Sequence, residues 1–248
     1  MSITKPSLTN IVKKQYSYKL RAYRQVYNSL IALQLLAIFF SFNGVGSMSG
    51  NWGGIHLNIN YYSADIIIIF TMLWGLNSAA LITTKAYRFD DFAFVTNRLS
   101  GNMANLYVML TLSVIGGLTS ILSGVLLKLL IYYSTDVQIF NDTRLMSEPN
   151  LFVTSILSAS MYVFLFCVLG YMIGMLFQVN KMILVALAAL FIWGLFKDVS
   201  GGSNVMVNVF TFFVSESSLF LFFIKMMFCS ILLFSISLVI SNRMEVRQ

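Results

Sequence analysis

The sequence predicts an all-α polytopic membrane protein with six transmembrane helices, a basic interfacial arm before them and a re-entrant segment between helices five and six. Three observations predict it. Apolar residues make up 58% of the 248 and charged residues only 10%, far from a soluble domain, where charge is nearer a quarter. The apolar residues gather in six stretches, at 28–46, 64–84, 106–131, 151–177, 182–196 and 218–240. A bilayer core of about 30 Å takes about 20 apolar residues per helix. Finally, twelve of the sixteen Lys and Arg residues fall in alternate gaps. Lys5, Lys13, Lys14, Lys19, Arg21 and Arg24 precede the first stretch. Lys85, Arg88 and Arg98 separate the second and third, Lys181 the fourth and fifth, and Arg243 and Arg247 follow the sixth. The other gaps and their flanks hold Lys128, near the end of the third stretch, Arg144 and Lys197, and Lys225 lies inside the sixth stretch. Cytoplasmic loops carry the excess of Lys and Arg, so Met1 and Gln248 are both expected inside. The net charge of +7 is then a cytoplasmic excess facing anionic lipid headgroups, not a nucleic-acid footprint. The whole of 1–248 reads as one membrane domain.

Residues 1–27 do not read as a cleaved signal, which has a short basic start followed at once by its apolar run. Leu8, Ile11, Val12, Tyr16, Leu20, Tyr23 and Tyr27 share one side at helical spacing; Asn10, Lys14, Ser17 and Arg21 share the other. Lys19 falls on the apolar side. A helix of this kind lies in the headgroup plane with Lys13, Lys14, Arg21 and Arg24 toward water and tyrosines such as Tyr16 at the interface. The plainer reading is an ordinary basic flank.

The first outer gap, 45–63, holds Gly46, Gly50, Gly53 and Gly54, the aromatics Trp52, Tyr61 and Tyr62, and the only histidine, His56. Glycines mark turns and aromatics suit the interface. A lone histidine builds neither a metal site nor a triad; a solvated loop residue or a pH-sensitive group remains.

The gap between the second and third stretches, 85–104, is the richest. It contains Tyr87, Arg88, Phe89, Asp90, Asp91, Phe92, Phe94 and Arg98. That is too polar to continue a span and too aromatic for a solvated loop. Asp91 suits the cap of a short helix from Phe92 to Leu99. Mixed aromatics and charge form a docking surface; a loop tucked against the lipid interface is the alternative.

Gly116, Ser120 and Gly124 repeat at steps of four in the third stretch, and Gly170 and Gly174 in the fourth. Small residues so spaced let helix backbones approach closely, within the chain or between subunits. The fifth stretch has 15 residues from Met182 to Phe196, or about 22 Å at helical rise. Lys197, Asp198 and the Ser200–Ser203 turn follow, then an apolar run from Val205 to Val214. Residues 199–217 are therefore expected to dip back into the outer leaflet, which non-helical backbone tolerates only under cover. A tilted, longer fifth helix with a surface loop competes with this.

Catalytic patterns are missing. No G-x-x-x-x-G-K-[ST] phosphate loop, H-E-x-x-H or paired-cysteine motif occurs. Gly46-Ser47-Met48-Ser49-Gly50 has Met where a nucleophile elbow needs Ser. Cys167 and Cys229 both fall inside spans and read as core packing. All nine acids lie at span ends or in gaps, whereas ion-coupled carriers place ionisable groups at mid-membrane. Lys225 is the one candidate, and its long stem lets it snorkel outward. No metal or cofactor is expected on this chain.

Six spans, internal ends, a basic arm, a helical loop after the second span and a re-entrant stretch before the last resemble the membrane subunit of ABC-2-type transporters. The run Thr84-Lys85-Ala86-Tyr87-Arg88-Phe89-Asp90-Asp91-Phe92 through Asn97-Arg98 is similar to the inner loop of small bacterial ABC-2 permeases. The resemblance covers nearly the whole chain. It implies that the 85–104 loop seats in a groove of a separate ATPase subunit, which would hold ATP and Mg, and that the arm touches the same subunit. It also implies a second permease subunit, alike or different, and a bacterial plasma membrane. The chain itself would be no enzyme. The expected cargo is an amphipathic or hydrophobic peptide, moved outward, with self-protection against an antimicrobial peptide as one form of the task. A lipid, glycolipid or drug exporter is the alternative, as is a non-transporting scaffold or sensor subunit. An intramembrane enzyme is third.

Overall fold

The computed structural model describes residues 7–42, 44–52, 55–84, 87, 98–134, 148–199, 205–216 and 218–243. Its helices are α1 (Leu8–Ala22), α2 (Arg24–Ser41), α3 (Asp65–Ile82), α4 (Arg98–Ser134), α5 (Pro149–Val179), α6 (Lys181–Val199), α7 (Val205–Val214) and α8 (Leu219–Arg243). Between α2 and α3 stand two strands, β1 (Gly46–Trp52) and β2 (Ile55–Tyr61). Among the described residues four helices are long and apolar enough to cross a membrane: Asp65–Ile82, Leu99–Ser134, Pro149–Val179 and Leu219–Ser241. The chain is a helical membrane protein.

Helix limits follow local chemistry. Gly44, at φ 87°, turns the chain beyond the end of α2, and its N–H bonds the Ser41 carbonyl at 3.1 Å. Asp65 stands in the first turn of α3, where the helix dipole favours a carboxylate. Pro149 opens α5 at the position where a missing N–H costs nothing. Asn180 separates α5 from α6, and its Oδ1 accepts the Met182 N–H at 2.9 Å, a side-chain cap. The fifth apolar stretch makes a longer helix than its 15 apolar residues: α6 has 19, about 28 Å at helical rise. Nothing in Leu195 to Val199 breaks a helix, so it continues through Lys197 and Asp198 to the edge of the Ser-Gly-Gly-Ser run. The fifth helix is therefore not the short one expected from the 15-residue stretch.

The gap expected to be a glycine-turn loop is instead an antiparallel ribbon. Gly46 pairs with Tyr61, Met48 with Ile59, Gly50 with Leu57 and Trp52 with Ile55. The intervening pairs are Ser47–Asn60, Ser49–Asn58 and Asn51–His56. Strand pleating puts alternate pairs on opposite faces, so one face is apolar and the other carries Ser, Asn and His.

The chain divides into two compact units. One comprises Tyr16–Gly75 and Leu106–Phe166. Its core joins Ala37 and Ile38 of α2, Ile67 of α3, and Leu127 and Ile131 of α4, with Tyr62, Ile66 and Phe70 packed around them. The other comprises Met1–Gln15, Leu76–Asn105 and Cys167–Gln248. There the buried stripe of α8 runs Phe222, Met226, Ser230, Phe234 and Ser237, a helical repeat in which serines keep the face narrow.

Candidate functional site

The arm forms as a helix, but its covered face differs from the expected one. Val12, Gln15, Lys19 and Tyr23 are buried, Lys19 to 2% exposure, while Leu8 is 49% exposed. Ile11, Tyr16 and Leu20 are half-buried. The covered stripe is therefore centred on Gln15 and Lys19. A seam against protein can cover polar groups that lipid would not, provided they are paired. Lys13, Lys14, Arg21 and Arg24 are exposed, as expected for a basic flank. Tyr16 packs edge-on against Tyr107, with ring centroids 6.2 Å apart.

Of the expected docking residues, Arg88, Phe89, Asp90, Asp91, Phe92 and Phe94 lie outside the described residues, as does most of the expected Phe92–Leu99 helix. Tyr87 is half-buried, and Arg98 is the first residue of α4. What the structure adds is the mounting of that first turn. Asn102 and Asn105, one turn apart on α4, are both buried, and so is Tyr171 of α5. The Tyr171 hydroxyl donates to Asn102 Oδ1 at 3.0 Å and accepts from Asn105 Nδ2 at 3.3 Å. Asn102 Nδ2 donates to Ser241 Oγ of α8 at 3.3 Å. The Tyr171 ring lies 6.0 Å from that of Phe234, also on α8. Three helices are thus tied by amide and hydroxyl groups within a turn or two of Arg98.

A second polar cluster sits in the other unit. Gln34 of α2 is buried, and its Nε2 donates to Thr71 Oγ1 of α3 at 3.2 Å and to Thr119 Oγ1 of α4 at 2.9 Å. Ser123 Oγ reaches Gln34 Oε1 at 3.5 Å. Each threonine hydroxyl also donates to its own helix, Thr71 to the Ile67 carbonyl at 2.7 Å and Thr119 to that of Ile115 at 2.8 Å. Trp74 Nε1 donates to Ser29 Oγ of α2 at 3.0 Å.

Of the expected packing residues, Gly170 and Gly174 lie close against another helix. A Cβ on Gly170 would fall on the Leu76 backbone, and one on Gly174 would meet Thr83 and Ala80. On α4 the tightest crossing is one residue away from the expected stripe, at Gly117 on Ser160. Gly116 faces Thr71, Trp74 and Val163 with more room, Gly124 meets Ala64, and Ser120 is fully buried.

Lys225 does not snorkel alone. Its Nζ pairs with the Glu216 carboxylate, donates to the Phe212 carbonyl at 2.7 Å and lies 3.9 Å from the centre of the Phe212 ring. It therefore ties α7 to α8, while α7 also packs on α6. His56 is exposed, Cys167 is fully buried and Cys229 half-buried. Among the described residues no three His, Cys, Asp or Glu side chains gather as a metal set.

Asn102, Asn105, Tyr171 and Gln34 are not among the residues singled out from sequence. The available signal was an isolated amide inside or just entering an apolar stretch, which must find a partner there. No protein-family model, characterised protein or solved structure matches the chain.

Proposed function

We propose that the chain is the transmembrane permease subunit of an ATP-driven exporter of the ABC-2 kind, working with a separate ATPase and a second permease subunit. The reading carries six crossings, with both ends cytoplasmic in a bacterial plasma membrane. Beyond the four long apolar helices, α2 has 18 residues and α6 has 19. These lengths correspond to about 27 and 28 Å, close to the hydrocarbon thickness. At ten residues, α7 is about 15 Å long, the depth of one leaflet. That supports a re-entrant cap between the last two crossings.

The observation that carries the reading is how the helix that begins at Arg98, where the aromatic, charged 85–98 stretch of sequence ends, is bonded to its neighbours. That helix has 37 residues, and its next turns are bonded to α5 and α8 through Asn102, Asn105 and Tyr171. A partner pushing on the first turns of α4 would move three helices together. The exposed Lys13, Lys14, Arg21 and Arg24 offer the same partner, or anionic headgroups, a basic surface. The described acids Asp65, Glu148, Asp198 and Glu216 stand at helix ends or between helices and Lys225 is paired; an amphipathic or hydrophobic peptide is the cargo class we favour.

Purifying the tagged full-length chain from native membranes and identifying its partners by mass spectrometry tests this. A phosphate-loop ATPase in stoichiometric amount is expected. Its absence, with another protein in its place, would favour the scaffold reading.

A further inference from the structure

We propose that the β1–β2 ribbon is a lipid-surface binding element that lies with its apolar face on the leaflet where α3 begins. The register defines two faces. Met48, Leu57 and Ile59 belong to one, and Ser47, Ser49 and Asn58 to the other. On the apolar face Met48 is 65% exposed, so the chain itself does not cover it. Residues 25–64 contain no Lys, Arg, Asp or Glu, which is unusual for a surface ribbon in water and removes the main cost of approaching acyl chains.

Position selects lipid as the occupant. Only residues 62–64 separate β2 from α3, and α3 is one of the helices able to cross a membrane. Three extended residues reach about 11 Å at most, so the end of the ribbon is held at the membrane boundary. Trp52 is the last residue of β1 and Tyr61 the last of β2, the residue types that collect at headgroup level. Two strands expose unpaired edge groups that hydrocarbon cannot satisfy. The ribbon must therefore lie flat among headgroups, with its serine and asparagine face in water, and not insert.

Single spin labels test this in the full-length protein in nanodiscs of phosphatidylcholine and phosphatidylglycerol. Cys229 is replaced by Ser, and fully buried Cys167 is left in place. Cysteines at positions 47, 48, 49, 57, 58 and 59 are labelled one at a time. Collision with oxygen is compared with collision with a water-soluble nickel chelate. We expect 48, 57 and 59 to favour oxygen at least threefold over 47, 49 and 58, with a period of two. Equal nickel access at all six positions would overturn the proposal, since the ribbon would then stand in water. So would spin–spin broadening between like labels at 48 or 59, which would show a second copy covering the face. A second, label-free measurement uses Met48→Asp/Ile59→Asp in the same discs. Hydrogen exchange at 46–61 should rise at least tenfold while exchange in α3 and α4 is unchanged; no rise would equally overturn the proposal.

Discussion

The two buried polar clusters differ in what their members do when one is lost. Around Gln34, the threonine hydroxyls already donate to carbonyls of their own helices. The amide adds bonds to groups that are otherwise satisfied. Around Tyr171, one hydroxyl serves as donor to Asn102 and acceptor for Asn105. Removing it takes the hydroxyl donor from the Asn102 oxygen and one acceptor from the Asn105 amide. The first cluster is a clasp between packed helices; the second is a keystone, one to two turns along α4 from Arg98. The comparison teaches that similar polar groups in apolar surroundings are not interchangeable, because the cost follows what is left unpaired.

The largest effect should come from a backbone crossing and not from either cluster. Gly170→Leu places a side chain on the Leu76 backbone, and overpacking costs about 1–3 kcal/mol or more. Its thermal unfolding midpoint in detergent should fall furthest of the series. Gly116→Ala, facing side chains with more room, should leave the midpoint almost unchanged. Equal effects at the two glycines would remove the distinction between close and open crossings.

Tyr171→Phe comes next, with an expected loss of about 1–3 kcal/mol, chiefly for the buried Asn102 oxygen that loses its hydroxyl donor. Gln34→Leu should cost less, about 0.6 kcal/mol, the typical worth of an interhelical hydrogen bond in a membrane protein. Steric unfolding assays on both variants order them. A larger loss for Gln34→Leu would invert the comparison.

The smallest effect on stability should come from Lys225→Met. The pair is partly solvated, with side chains 18% and 26% exposed, and such pairs contribute about 0–1 kcal/mol. Its consequence should be local. A cysteine at Val209 should react faster with a membrane-impermeant reagent once α7 is released from α8. An unchanged rate would mean that Lys225 does not hold α7.

How much of this is legible in the sequence follows the range of each interaction. Long apolar runs depend on composition alone, so α3, α5 and α8 are found within a few residues of their expected limits, whereas α4 starts eight residues before its apolar stretch. The ribbon was also within reach, since Ile55 to Tyr61 alternate apolar and polar without a break. Glycine content pulls that stretch toward a turn reading, and the pairing that makes it a sheet is set by β1. The burial of Lys19 was not legible, because an amphipathic stripe says which side is covered only when lipid is the cover. Nor was the choice of partners for Asn102 and Gln34, which depends on helices far away in sequence. The docking residues 88–94 were singled out on chemistry alone, and they lie outside the described residues.

One measurement bears on the central claim most directly. A photo-crosslinking amino acid placed at Phe92 of the full-length chain, activated in the native cells, should form one covalent adduct with a phosphate-loop ATPase. The same probe at Met48 should not. An adduct at Phe92 with lipid only, or with a protein lacking a phosphate loop, would contradict the reading of this chain as an ATP-driven permease.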